Sequence, residues 1–162
     1  MSRLDSAIRR LEAQRDCLTL AASLIGEMPG NVLELGLGNG RTYDHLRTQM
    51  PEREIFVFER HIAAHPDCIP DDDHAFVGDF SDTVPRAFSR LGAASVLAHC
   101  DTGSGDSGAT RAQADWLGPQ VDPLLVPGAI VVSDQALTVP GWAALKIPEN
   151  VAPGRYHMYR KD

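Results

Sequence analysis

The sequence predicts an α/β fold in which helices cover both faces of a mostly parallel sheet. Short apolar segments alternate with helical segments along the chain, and this alternation is typical of right-handed strand–helix–strand crossovers. The fifth predicted strand, 129–132, is apolar at every position, as expected of a strand covered on both faces. Two short C-terminal segments joined by a turn predict an antiparallel hairpin at one sheet edge. We therefore expect a doubly wound sheet of about seven strands.

The N-terminal segment 1–29 is predicted to be one helix with its stop signal. Ser2 and Asp5 have the spacing of a capping box. Apolar residues then recur every three or four positions to about Met28, before Pro-Gly at positions 29 and 30. The preferred interpretation is a helix packed on its own domain, and the alternative is a contact between two copies of the chain.

The remaining elements follow in alternation. The predicted strands cover 31–35, 54–58, 75–77, 94–99 and 129–132, and the predicted helices cover 41–50, 82–91 and 109–117. The C-terminal hairpin, 142–160, consists of strands 142–147 and 156–159 around Pro153-Gly154. The chain has no internal repeat and no low-complexity tract. We therefore expect a single domain over 1–162, in line with the usual size of a domain.

The composition narrows the class of protein. Hydrophobic residues make up 43% of the chain and charged residues 23%, as in ordinary globular proteins. The net charge of -7 opposes nucleic-acid binding, which requires an excess of Lys and Arg. The sequence contains neither a signal segment nor a run of about 20 apolar residues that would span a membrane. Three cysteines without metal-ligand spacing indicate a reducing compartment, and we expect a cytoplasmic protein.

The loop after the first strand carries the strongest functional signal. Glycines at positions 36, 38 and 40 follow a strand and begin a helix, so the backbone can turn tightly and approach a ligand. The dinucleotide fingerprint G-x-G-x-x-G would need glycine at position 41, where the chain has Arg41. Glu34 adds a carboxylate for an ammonium group. An amino-acid headgroup therefore suits this loop better than a pyrophosphate.

The segment 34–40 resembles the first motif of class I S-adenosylmethionine-dependent methyltransferases, E/D-x-G-x-G-x-G, and the likeness extends over about 31–135. The resemblance implies a Rossmann-like fold and S-adenosylmethionine as cofactor. It places Glu59 on the ribose hydroxyls and Asp79 near the adenine amine, while Phe80 lies either against the purine or in the core. The cofactor-binding residues that it implies are Glu34, Gly36, Leu37, Gly38, Asn39, Gly40, Glu59, Arg60, Gly78, Asp79, Phe80 and Asp101.

The end of the fourth strand is the expected acceptor side, because open α/β sheets bind ligands at the carboxyl edge. The chain lacks the Asn/Asp-Pro-Pro-Tyr/Phe motif there, which argues against that type of amino methylation. The segment 98–134 instead resembles catechol-type O-methyltransferases. That resemblance implies a Mg²⁺ ion held by Asp101, Asp134 and Gln135, with Gln in place of the usual Asn. In the alternative interpretation, Asp101 bonds the cofactor or a loop and Asp134 caps a strand end. The candidate catalytic residues are Asp101 and, as a base, His99.

Three functions are compatible with these residues. The leading hypothesis is methyl transfer from S-adenosylmethionine to a small molecule, preferably at oxygen. The first alternative is a nicotinamide-dependent oxidoreductase, against which the missing glycine at position 41 argues. The second is a non-catalytic S-adenosylmethionine-binding module. The expected partner is a small methyl acceptor, rather than nucleic acid or a membrane. A second copy of the chain, bound through the N-terminal helix, is the partner in the alternative interpretation of that helix.

Overall fold

The computed structural model describes all 162 residues, and its seven strands form one sheet. The strands are β1 (Asn31–Leu35), β2 (Ile55–Glu59), β3 (Ala75–Val77), β4 (Ser95–Cys100), β5 (Leu125–Ser133), β6 (Trp142–Ala144) and β7 (His157–Lys161). Their order across the sheet is β3-β2-β1-β4-β5-β7-β6. The first five strands are mutually parallel, whereas β7 runs antiparallel to β5 and to β6. The prediction of a mostly parallel sheet with an antiparallel end is confirmed.

Four helices cover the sheet, two on each face. They are α1 (Arg3–Ile25), α2 (Arg41–Gln49), α3 (Phe80–Leu91) and α4 (Ser107–Val121). Buried residues of α1 and α2 form one apolar core with one face of the sheet. Buried residues of α3 and α4 form a second core with the other face. The near-continuous apolar character of β4 and β5 follows from this coverage, since both of their faces are buried.

The capping box predicted for α1 is present. The Ser2 hydroxyl accepts a hydrogen bond from the Asp5 amide at 3.0 Å, and the Asp5 carboxylate accepts one from the Ser2 amide at 3.0 Å. The helix ends at Ile25, three residues before the predicted limit. Only its second half is packed on the sheet, because buried residues begin at Ala13. The first half projects from the sheet and leaves Leu4 69% exposed.

The C-terminal hairpin is also confirmed, although its strands differ in length from the prediction. The edge strand β6 is only three residues long, and β7 extends to Lys161. The Trp142 indole donates a hydrogen bond to Asp122 at 2.7 Å and holds the edge strand to the turn before β5. A short edge strand offers few unpaired backbone groups to other chains. None of the helices combines the length and hydropathy that a membrane span requires.

The strand order places a switch point between β1 and β4. The chain moves outward from β1 to β2 and β3, and then crosses back to β4 on the other side of β1. Connections leave β1 and β4 towards opposite faces of the sheet, so a crevice opens at their carboxyl ends. The residues that follow β1, β2, β3 and β4 therefore converge on one region.

Candidate active site

A cavity of about 650 Å³ lies at the carboxyl ends of the parallel strands. It contains nine of the twelve predicted cofactor residues: Gly36, Gly38, Asn39, Glu59, Arg60, Gly78, Asp79, Phe80 and Asp101. The tertiary structure adds five residues that the sequence analysis missed: His61, Ala63, Thr102, Gly103 and Gln113. Thr102 and Gly103 directly follow Asp101, so the sequence position of Asp101 could have predicted them as site residues. Gln113 joins the site only because α4 packs over the sheet, and no local sequence signal identifies it.

The glycine loop needs its glycines for different reasons. Gly36 has φ +94°, and a Cβ there would collide with the carbonyl oxygen of Asp101. The close approach of the loop to the end of β4 therefore requires glycine. Gly38 has φ +54°, and a Cβ there would meet no atom within 4 Å. Gly38 faces open space at the cavity, whereas Gly36 is required by the close packing of the loop against Asp101.

Glu59 at the end of β2 points into the mouth of the glycine loop. Its Oε2 atom accepts hydrogen bonds from the Leu37 amide at 2.8 Å and from the Gly38 amide at 3.0 Å. Its Oε1 atom accepts one from the Arg60 amide at 2.8 Å. A carboxylate offers about four acceptor positions, so these contacts leave room for a further donor. Leu37 itself is buried and contributes its backbone amide rather than its side chain.

The end of β3 forms the far side of the cavity. Asp79 directly precedes α3, and its carboxylate pairs with the Arg60 guanidinium at 2.7 Å. The ion pair connects the segments that follow β2 and β3, although both side chains are largely exposed. Phe80 lines the cavity and also packs against the apolar core under α3. The core packing of Phe80 is therefore observed, and its contact with the purine stays a prediction.

Glu34 is not part of the cavity surface, which corrects the expectation of a direct contact with an ammonium group. Its side chain has no exposure to solvent. The strand alternation directs it to the α1 and α2 face of the sheet, beneath the glycine loop. There its Oε1 atom accepts hydrogen bonds from the Thr42 hydroxyl at 2.7 Å and from His99 Nδ1 at 2.9 Å.

His99 is likewise buried, and the prediction of a catalytic base is not supported. Nδ1 lies 2.9 Å from the Glu34 carboxylate, and Nε2 lies 3.0 Å from the Tyr156 hydroxyl. Burial opposes the charged imidazole, but the adjacent Glu34 carboxylate outweighs it and raises the pKa of His99. Both ring nitrogens are therefore engaged inside the core, away from any acceptor in the cavity. The neighbouring Cys100 thiol is also buried, and burial raises its pKa.

Asp101 is the carboxylate that the structure places at the junction of the cavity and α1. Its Oδ2 atom accepts a hydrogen bond from the Gln14 side-chain amide at 2.6 Å. Its Oδ1 atom has no partner within the chain and is not a buried unsatisfied atom, so it reaches the open space of the cavity. Burial is the main cause that raises the pKa of Asp101. Gln14 is the one polar residue among the six buried residues of α1, and the sequence analysis did not identify it.

A second cleft, of about 250 Å³, adjoins the glycine loop on the side of α1. Arg10, Leu11 and Gln14 of α1 line it together with Asn39 and Arg41. Gly40, which begins α2 with φ +85°, packs against Cys68 rather than facing either cavity. The first helix thus contributes side chains to the site, in addition to packing on the sheet.

The predicted Mg²⁺ ligands do not assemble into a metal site. The Asp134 carboxylate accepts hydrogen bonds from the Thr102 amide at 3.2 Å and from the Gly103 amide at 2.9 Å. Gln135 directs its amide nitrogen towards Asp134, at 3.2 Å, instead of presenting an oxygen. No group of three His, Cys, Asp or Glu side chains is arranged to hold a metal ion. The Asp134 carboxylate caps the loop after β4, whereas Asp101 bonds Gln14 of α1 instead of the loop that the alternative interpretation named.

The fold and the site together define a class. A glycine loop after β1, a carboxylate after β2 and an acid after β3 all line one crevice at the switch point of a doubly wound sheet. This is the arrangement of a Rossmann-like S-adenosylmethionine-dependent methyltransferase.

Comparison with known proteins identifies the family. The chain belongs to a family of S-adenosyl-L-methionine methyltransferases, whose profile matches residues 1–161. The S-adenosyl-L-methionine methyl transferase from Silicibacter pomeroyi DSS-3 is 39% identical, with a TM-score of 0.95 over 100% of this chain and 99% of that chain. A comparison with curated proteins gives no match. The family match and the 39% identical structure show that the protein is a methyltransferase with S-adenosylmethionine as its cofactor. The oxidoreductase alternative is set aside.

More distant structures share the fold. Cofactor-bound Rv0187 from MTB is 17% identical, with a TM-score of 0.63 over 98% of this chain and 88% of that chain. Human methyltransferase-like protein 13 in complex with SAH is 15% identical, with a TM-score of 0.56 over 98% of this chain and 80% of that chain.

Proposed function

We propose that the protein methylates a hydroxyl group of a small molecule. The observation that carries this proposal is the cavity of about 650 Å³ that extends from Glu59 and Asp79 to Asp101 and Gln113. Its volume lies within the usual range of small-molecule sites, about 300 to 1,000 Å³. The net charge of -7 disfavours a nucleic-acid acceptor, because phosphate groups would be repelled.

The cofactor end of the cavity comprises the glycine loop and the ends of β2 and β3. Glu59 would accept hydrogen bonds from the ribose hydroxyls, since an ionised carboxylate is acceptor-only. Asp79 would accept a hydrogen bond from the adenine amine, and the Phe80 ring would border the purine. When bound, S-adenosylmethionine supplies a methyl group on a sulfonium sulfur.

The acceptor end comprises Asp101, Thr102 and Gln113, all of which line the cavity. Asp101 is the carboxylate with an oxygen free of protein partners, at the point where the methionine end of the cofactor and the acceptor would meet. It would orient the acceptor hydroxyl and receive the proton that this oxygen loses. Because its pKa is raised, the carboxylate is a better proton acceptor than an ordinary aspartate.

The test combines binding with turnover. Calorimetry with S-adenosylhomocysteine and with NAD should show binding of the first alone. Methyl-labelled S-adenosylmethionine should then label members of a hydroxyl panel in preference to a matched amine panel. Asp101→Asn keeps the size of the side chain and should lower kcat on the order of 100-fold, with the S-adenosylhomocysteine affinity within a few fold of the wild type. Preferential labelling of amines, or an unchanged kcat in this variant, would overturn the proposal.

The organisation of the protein completes the proposal. Since all seven strands form one sheet, we treat 1–162 as one domain, and the function fits a cytoplasmic enzyme.

The exposed Leu4 and Ile8 on the projecting half of α1 support association of two copies through this segment. Light scattering coupled to size exclusion should show a dimer for the wild type and a monomer for the Leu4→Ser, Ile8→Ser double variant. A monomeric wild type at high concentration would refute the association.

A further inference from the structure

The second cleft, between α1 and the glycine loop, adjoins the large cavity. The two spaces have five lining residues in common: Gly36, Gly38, Asn39, Asp101 and Gly103. Glu59 and Asp79, at the proposed ribose and adenine positions, line only the large cavity. The second cleft therefore opens beside Asp101, away from the adenine end of the site.

Two arginines without a protein partner line this cleft. Arg10 lies on α1 and Arg41 is the first residue of α2; both side chains are exposed, and neither guanidinium makes an ion pair or a hydrogen bond within the chain. Five other arginines do pair with carboxylates: Arg15, Arg47, Arg60, Arg86 and Arg111. Asp101 is the one carboxylate that lines the cleft, and one of its oxygens accepts the Gln14 hydrogen bond. The cleft thus carries an excess of positive charge in a chain whose net charge is -7.

The donors of this cleft suit an anionic group. A guanidinium presents a planar fork of N–H donors that matches a carboxylate or a phosphate, and it stays charged at every physiological pH. The volume of the cleft, about 250 Å³, is below the range of about 300 to 1,000 Å³ for a complete small-molecule site. The cleft is therefore suited to one substituent of a ligand whose remaining part occupies the large cavity.

We propose that the methyl acceptor is a hydroxy acid, whose acidic group binds Arg10 and Arg41 while its hydroxyl faces Asp101. The acidic group is a carboxylate or a phosphate, since both fit the guanidinium fork. Asp101 and the two arginines line the same small cleft, so the hydroxyl and the acidic group are separated by only a few bonds. The proposal rests on the proposed hydroxyl methylation and specifies the class of its acceptor.

The binding test uses protein saturated with S-adenosylhomocysteine, so that the second ligand reports on the acceptor site. Calorimetry compares the hydroxybenzoate isomers, glycerate and glycerol 3-phosphate with their neutral partners: the hydroxybenzamides, glyceramide and glycerol. At least one acid should bind about tenfold or more tightly than its neutral partner, because only the acid forms charge-assisted hydrogen bonds. A preference confined to glycerol 3-phosphate would assign the acidic group as a phosphate, and one confined to the carboxylic acids would assign it as a carboxylate.

Three variants locate the acidic group. Arg10→Gln and Arg41→Gln should each weaken binding of the preferred acid about tenfold, with the neutral partner within about threefold of the wild type. Arg10→Lys keeps the charge without the planar fork and should retain part of the preference. Arg9→Gln is the matched control, because Arg9 is the exposed neighbour of Arg10 on α1 and lies outside the cleft. This control loses the same charge and should bind the acid as the wild type does.

The carboxylate of the cofactor is the competing occupant of the cleft, and S-adenosylhomocysteine affinity separates the two. The affinity should stay within about threefold of the wild type in Arg10→Gln and Arg41→Gln. A larger loss of cofactor affinity with the acid preference retained would assign the arginines to the cofactor and overturn the proposal. Equal binding of acids and neutral partners, or no binding of any acid, would overturn it as well. Labelling of amines instead of hydroxyls would refute the proposed reaction, whereas the acid preference is measured without turnover, so the two failures are distinguishable.

Discussion

Replacing Glu59 by Gln should abolish most of the affinity for S-adenosylhomocysteine. The Glu59 carboxylate accepts three backbone hydrogen bonds, from the amides of Leu37, Gly38 and Arg60. An amide of the same size retains one acceptor oxygen and presents a donor nitrogen towards one of these N–H groups. The substitution therefore releases part of the glycine loop and also removes an acceptor for the ribose.

The magnitude follows from the strength of hydrogen bonds to charged groups. Each such bond contributes about 1.5 to 3 kcal/mol. Loss of one or two of them in the bound state, with partial compensation by the remaining amide oxygen, corresponds to about 2 to 4 kcal/mol. The dissociation constant of S-adenosylhomocysteine should then rise roughly 30- to 700-fold. The folded structure should persist, because Glu59 is only half-buried and lies at the end of its strand.

Isothermal calorimetry measures this affinity directly, and circular dichroism checks the fold of each variant. Glu59→Asp keeps the charge with a side chain one methylene shorter and should bind with intermediate affinity. Glu54→Gln removes one exposed carboxylate just before β2, outside the cavity, and is the control for net charge. A folded Glu59→Gln variant that binds within threefold of the wild type would show that this carboxylate does not hold the cofactor.

Three further predictions concern the loop, the thiols and pH. Gly36→Ala should lower Tm far more than Gly38→Ala in thermal scans, because only the first new Cβ meets backbone; equal losses would contradict this packing argument. Mass spectrometry after brief alkylation of the native protein should find label on Cys68, since the other two cysteines are buried. A hydrogen bond with Asp71 is the largest cause that raises the pKa of His74. The stabilising effect of this hydrogen bond is present below the pKa of His74 in the unfolded chain, about 6.5, and is lost at higher pH. The Tm difference between wild type and His74→Gln should therefore be larger at pH 6 than at pH 9, and a constant difference would refute the assignment.

The fold was predictable because its signals are local. Alternating apolar strands and helical segments, the capping box at Ser2, and the Pro-Gly turn before β7 each depend on a few neighbouring residues. The positions of Glu59 and Asp79 in the cavity could also be predicted, because each residue lies at or just after the end of a parallel strand. Parallel strands bring their carboxyl ends to one edge, so residues just after β2 and β3 converge there whatever the remaining packing.

The errors concern the direction in which single side chains point. Glu34 and His99 lie near the carboxyl edge, but strand alternation directs both into the core under α1. Asp134 lies at the correct strand end for a metal ligand, yet the loop after β4 folds back and supplies backbone amides to its oxygens. These outcomes depend on which element covers each face, and that information is spread over the whole chain.

By itself, the sequence determined the alternating architecture, the glycine loop and the carboxylates after the second and third strands, because backbone sterics and hydrophobic periodicity act over short distances. The tertiary structure alone decided the roles of the buried polar residues. Gln14 meets Asp101 across 87 positions of sequence at 2.6 Å, and only the packing of α1 against the sheet brings them together. The physical reason is that a side chain's partner depends on non-local packing, whereas the tendency to form a strand, a turn or a helix start does not.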